Sequence, residues 1–152
     1  MPTMIIPLSL LGLVPFVIFG LAAVGHVPQT AERGLVALID YAALVLAFSG
    51  GVHWGLALLP GVVRPATRIV AGVLPMIVAW VGVILAQMVA PTVALAVLIL
   101  GYLATVLTEH RAAQRFLVPS RYVWMRWGFS AAAVLVMAIV LILLGLGQTL
   151  VL

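Results

Sequence analysis

His53 is the residue whose chemistry first asks for an explanation. Its imidazole lies within Phe48-Ser49-Gly50-Gly51-Val52-His53-Trp54-Gly55, a small-residue motif inside an otherwise apolar run. Imidazole donates and accepts hydrogen bonds and titrates near neutral pH. Ser49 precedes it by about one helical turn, so hydroxyl and ring share a face at ~100° per residue. Tyr102 of the fourth span reaches the same level, Glu109 lies just past that span in a polar segment where it could pair with Arg64, Arg68 or Arg126, and His53, Ser49, Tyr102 and Glu109 form the candidate ligand-binding set. An ionisable group inside a span is a functional-site hypothesis by default, here contact with a quinone head, another small ligand or a proton. The competing reading is a hydrogen-bonded tie between helices, because an unpaired polar group in lipid costs several kcal/mol, roughly.

Other chemistry lacks its residues. The chain shows no nucleophile elbow, no phosphate-cradling loop and no zinc-type His/Glu spacing, so no catalytic residue or metal ligand is assigned and no enzyme is expected. Cysteine is absent, which removes thiolate metal sites and thiol nucleophiles. A haem is not expected, since no second intramembrane His or His pair on one helix would bind the iron. No cofactor is assigned, with a quinone left open. Asp40 and His53 cannot meet: their separation on one helix is ~20 Å along the axis.

Helices must position these groups. Of the 152 residues 66% are hydrophobic and 7% charged, the composition of an integral membrane protein rather than a domain with a polar surface. Five apolar runs read as transmembrane helices at about residues 5–24, 35–59, 69–88, 93–107 and 122–144, each near the ~20 residues a bilayer requires and the fourth short. The expectation is an all-α bundle, one domain over residues 1–152, with five spans. The first run lacks the charged start and short apolar core of a signal peptide, and reads as a retained span. Val89-Ala90-Pro91-Thr92 is short enough to link the third and fourth spans as an antiparallel hairpin.

Packing has its own signals. Ala43, Ala47, Gly51 and Gly55 recur every fourth residue in the second span, a small-residue ridge that admits a neighbouring backbone in lipid. Close helix packing is therefore expected at Ala47, Gly51 and Gly55, and at Pro75, which leaves the carbonyl of Ala71 without its usual donor. His53 N–H is a candidate partner for that carbonyl, as Tyr102, Thr105 and Ser49 are for the imidazole. Trp54, Trp124 and Trp127 read as interfacial anchors.

Arginine places the loops. With the N-terminus cytoplasmic, the inner side holds Arg64, Arg68, Arg111, Arg115, Arg121 and Arg126, and the outer side only Arg33, so the positive-inside rule favours N-in and C-out. His53, Pro75 and Tyr102 then lie ~10 Å inside the membrane from its cytoplasmic face, with Ser130 at a similar level. Arg111, Arg115, Arg121 and Arg126 are expected to meet lipid phosphates, anionic lipid being the nearer partner, and nucleic acid is not expected.

The segments Tyr41 to Gly55, Val73-Leu-Pro-Met-Ile-Val-Ala-Trp80, Leu100-Gly-Tyr102 with Glu109, and Pro119-Ser-Arg-Tyr122-Val-Trp-Met-Arg126 carry a resemblance. Together they resemble a family of five-span proteins of unknown function that includes eukaryotic transmembrane protein 69. Gly50-Gly51-Val52-His53-Trp54-Gly55 is its most specific part. Trp124 and Glu109 depart from the family's pattern, in which an Arg and an Asp are commoner. The resemblance implies a small multi-pass inner-membrane protein, bacterial here, with no assigned reaction. The function expected first is a non-catalytic membrane subunit packing against a larger complex and lipid. A binding bundle centred on His53 and a small oligomeric transporter are the alternatives.

Overall fold

The computed structural model describes residues 11–59, 65–114 and 120–147. Five helices follow one another: α1 Val14–Ala23, α2 Pro28–Ala57, α3 Pro65–Met88, α4 Pro91–Gln114 and α5 Ser120–Gly145. Four of them, α2 to α5, are long and apolar enough to cross a membrane. The described part of the first expected span is the 10-residue α1, and residues 5–10 lie outside the described residues.

Proline sets several of the starts. Pro28, Pro65 and Pro91 open α2, α3 and α4, where a missing N–H costs nothing because the first turn has no acceptor for it. Two boundaries differ most from the sequence expectation. α2 begins at Pro28 instead of Leu35, so Glu32 and Arg33 are helical. α4 continues through Thr108 to Gln114 instead of ending at Leu107, since no Gly or Pro interrupts that stretch. The extension carries Glu109 on a helix, in register with Tyr102 and Thr105.

α2 is the hub. It packs against α1, α3 and α4, and α5 closes the bundle against α4 and α1. Leu38 and Leu46 of α2, Leu95 and Leu98 of α4, and Met137 and Val140 of α5 fill the interior. Phe16 ties α1 to the rest, its ring edge-on to Tyr41 at 5.1 Å, Phe129 at 6.1 Å and Tyr102 at 6.3 Å. Such T-shaped contacts suit the aromatic quadrupole. The Tyr41 hydroxyl fastens the same corner by donating to the Gly12 carbonyl at 2.9 Å.

Glycine decides the closest crossing, but not at the expected positions. A Cβ on Gly50 would collide with the Gly72 carbonyl of α3, and one on Gly72 would collide with the indole of Trp54. Gly51 and Gly55 face outward, with nothing within 4 Å of a Cβ at either. Ala43 is buried and Ala47 half-buried, so the expected ridge leaves the interior partway along α2. Helix rotation explains the shift: the α2 face that carries Leu46, Ser49 and His53 inward takes Gly50 with it and turns Gly51 away. Pro75 is buried within α3.

In lipid, apolar tails compete equally for apolar side chains, so close backbone approach supplies much of the α2–α3 attraction. Gly50→Ala or Gly72→Ala should therefore lower the thermal midpoint in detergent, at an overpacking cost of about 1–3 kcal/mol. Gly51→Ala and Gly55→Ala should leave it unchanged or raise it, by up to about 1 kcal/mol of helix propensity. Scanning fluorimetry of the four purified variants checks the order.

Candidate functional site

Three helices each bring polar side chains at helical spacing to one level of the bundle. α2 contributes Ser49 and His53, α4 contributes Tyr102, Thr105 and Glu109, and α5 contributes Tyr122, Arg126 and Ser130. Most of these are buried although the surroundings are apolar: Glu109 is 2% exposed, His53 6% and Arg126 9%. A fourth-residue repeat on α5 keeps Tyr122, Arg126 and Ser130 on one face.

Glu109 and Arg126 are the electrostatic centre. The guanidinium Nε lies 3.3 Å from each carboxylate oxygen, and the Tyr122 hydroxyl donates to Oε1 at 3.4 Å. Neither charge could stay in this interior alone, since an isolated buried ion loses several kcal/mol of hydration, roughly. The pair also joins α4 to α5.

The hydroxyls turn to backbone carbonyls. Tyr102 donates to Ala42 of α2 at 3.0 Å. Ser49 donates to Leu46 at 2.6 Å, Thr105 to Gly101 at 2.8 Å and Thr108 to Thr105 at 2.7 Å, each within its own helix. The hydroxyls expected as partners for His53 thus donate elsewhere, Tyr102 to a carbonyl of α2 and Ser49 and Thr105 to carbonyls about one turn back in their own helices. His53 Nε2, Arg126 Nη2 and Ser130 Oγ are buried without a hydrogen-bond partner among the described residues.

The expected ligand-binding set is divided. Ser49 lines a groove of about 460 Å³ between α1, α2 and α5, together with Tyr41, Phe48, Tyr122, Arg126 and Phe129. His53 lines a different pocket, between α2, α3 and α4. Tyr102 and Glu109 sit in the interior between helices and line neither. Among the residues expected at lipid phosphates, Arg111 is exposed, while Arg126 is buried and bound to Glu109. Arg115 and the side chain of Arg121 lie outside the described residues. Trp54, Trp124 and Trp127 are all at least 42% exposed near this end of the bundle. Among the described residues no three His, Asp or Glu side chains gather as a metal would require.

Sequence reasoning misses Tyr122 as a site residue and gives Arg126 two readings, a lipid-phosphate contact and one of three possible partners of Glu109, because a cation near a span end reads first as a phosphate contact. The signal that finds them is the Tyr122-Arg126-Ser130 repeat facing an acid, Glu109, on the preceding helix. Arg126→Met should leave Glu109 buried and unpaired and destabilise the bundle by about 3–5 kcal/mol. Glu109→Leu combined with Arg126→Met should recover most of that loss. Unfolding of the two variants in detergent, measured side by side, checks the non-additivity.

Comparison with known proteins gives a family and no function. No curated protein and no solved structure matches the chain. The model of a family described as "Protein of unknown function (DUF3429)" matches residues 1–142. With nearly its whole length in that match, an all-helical bundle with four apolar helices able to span a membrane, the chain belongs to the DUF3429 family.

Proposed function

We propose that this is a non-catalytic integral membrane protein that holds a lipid-soluble molecule with a neutral, hydrogen-bond-accepting head group, of the quinone class, in the groove between α1, α2 and α5. One observation carries the reading: Arg126 is engaged through Nε with Glu109, its Nη2 has no hydrogen-bond partner among the described residues, and the residue lines the groove. Glu109 offsets the guanidinium charge, so the spare N–H suits a carbonyl oxygen better than an anion that would also face the carboxylate. Val45, Phe48, Val52 and Phe129 offer the apolar wall that a ring and its chain require. A volume of about 460 Å³ falls in the range of small-molecule sites, ~300–1,000 Å³.

The setting proposed with it is the bacterial inner membrane, N-terminus inside and C-terminus outside, with anionic lipid on the cytoplasmic side. Its support is the distribution of loop arginines. Kinship with eukaryotic transmembrane protein 69 rests on Gly50-Gly51-Val52-His53-Trp54-Gly55 and the accompanying segments.

A second reading, the accessory subunit of a larger membrane complex, is favoured by Asp40. This carboxylate is exposed on α2, well inside the apolar run, beside a groove of about 410 Å³ shared with α3. A partner helix with a donor or cation would satisfy it. Mild extraction followed by sizing separates the two readings: comigration with other chains supports the subunit, and a monodisperse single chain counts against it.

The binding reading is tested with a short-chain ubiquinone and the purified protein by calorimetry. Saturable binding is expected, weakened at least tenfold in Val52→Phe, which fills the groove without touching the Glu109–Arg126 pair. Equal uptake by Val52→Phe and the parent protein, at unchanged thermal midpoint, would show partition into detergent and refute the site.

A further inference from the structure

Between α2, α3 and α4 a second pocket of about 260 Å³ opens at the end of the bundle where α2 and α4 finish and α3 begins. It gathers His53 from α2, Thr67 and Arg68 from the first turn of α3, and Thr108 and Arg111 from the end of α4. No acidic side chain lines it. The one ion pair among the described residues, Glu109–Arg126, uses neither of these arginines. Asp40, on the same helix as His53, is ~20 Å away along the axis.

The lining is built for an anion. His53 is more than nine-tenths buried and its Nε2 has no hydrogen-bond partner among the described residues. Among the described residues Arg68 makes one long bond, Nη1 to the Leu56 carbonyl at 3.5 Å, which leaves the rest of its fork without a described acceptor. Thr67 and Arg68 stand at the helix end whose unsatisfied N–H groups carry positive partial charge. Cations brought together without a counter-charge repel, and an oxyanion placed among them relieves that repulsion while taking up the spare donors.

We infer that this pocket binds a phosphate group, carried by an anionic membrane lipid or by a small soluble phosphate. Donors reach it from three helices, which suits a tetrahedral oxyanion with oxygens in several directions better than a planar carboxylate. Guanidinium forks match phosphate oxygens in pairs. The pocket lies at helix ends, and the topology proposed above would place its outer part, Thr67, Arg68 and Arg111, near lipid head groups. It opens between other helices than the α1–α2–α5 groove and does not depend on what that groove holds.

The test uses delipidated full-length protein in phosphate-free buffer, with thermal midpoint as the readout against added inorganic phosphate or phosphatidylglycerol in mixed micelles, and chloride as control. The parent protein should show a saturable rise, and Arg68→Gln/Arg111→Gln should need at least tenfold more ligand for half the effect. A response to phosphatidylglycerol alone assigns the lipid, and one to inorganic phosphate assigns the soluble source. Arg68→Lys/Arg111→Lys should respond better than the glutamine variant, which keeps neither charge. If the double glutamine variant does not accumulate, Arg111→Gln alone makes the comparison from an exposed position. No saturable rise in the parent protein, or the same half-saturation in the glutamine variants, overturns the site.

Discussion

An ion pair held away from water must be complete, and the Glu109–Arg126 pair is the constraint on which the rest of this bundle depends. Each charge compensates the other only while α4 and α5 stay in register. Tyr122 adds a donor to the same carboxylate, so three side chains on two helices fix their relative rotation and depth. Breaking that register would strand two charges in an apolar interior, a far larger penalty than losing any single apolar contact.

From this anchor the polar layer spreads by short steps. The hydroxyls of Ser49, Thr105 and Thr108 fold back on carbonyls of their own helices, whereas Tyr102 reaches across to Ala42 and Tyr122 to Glu109. Among the described residues the ties between these helices are few: the ion pair and the Tyr122 phenol between α5 and α4, the Tyr102 phenol between α4 and α2, and the glycine crossing with the Arg68–Leu56 bond between α3 and α2. α1 is held differently, through the Phe16 aromatic cluster and the Tyr41 bond. Lipid rewards such an economy, because each additional buried polar group would require a partner of its own.

What is left over is where binding chemistry resides. Arg126 Nη2 and His53 Nε2 have no hydrogen-bond partner among the described residues, and the two residues line cavities of different character. The groove beside Arg126 is charge-balanced by Glu109 and walled by apolar and aromatic side chains. The pocket beside His53 has two arginines without a described acidic partner. One polar layer thus presents a neutral face between one set of helices and a cationic face between another.

The long apolar helices and the polar groups within them were legible in the amino-acid order, whereas the helix starts at Pro28, Pro65 and Pro91 lie ahead of the apolar runs that begin at 35, 69 and 93. Apolar run length, proline position and an isolated His or Glu report on local conformation and on the cost of burial, both of which follow from the chain itself. Which neighbours meet was decided only by tertiary packing. A rotation of α2 by about one residue, ~100°, exchanges Gly51 for Gly50 at the α3 crossing, and no periodicity separates two adjacent glycines. Likewise the length of α4 beyond Leu107 carries Glu109 to Arg126, and that meeting converts an arginine read as a lipid contact into half of a buried pair. Pairings of this kind depend on the relative rotation and depth of two helices, quantities the hydrophobic pattern of either one leaves free.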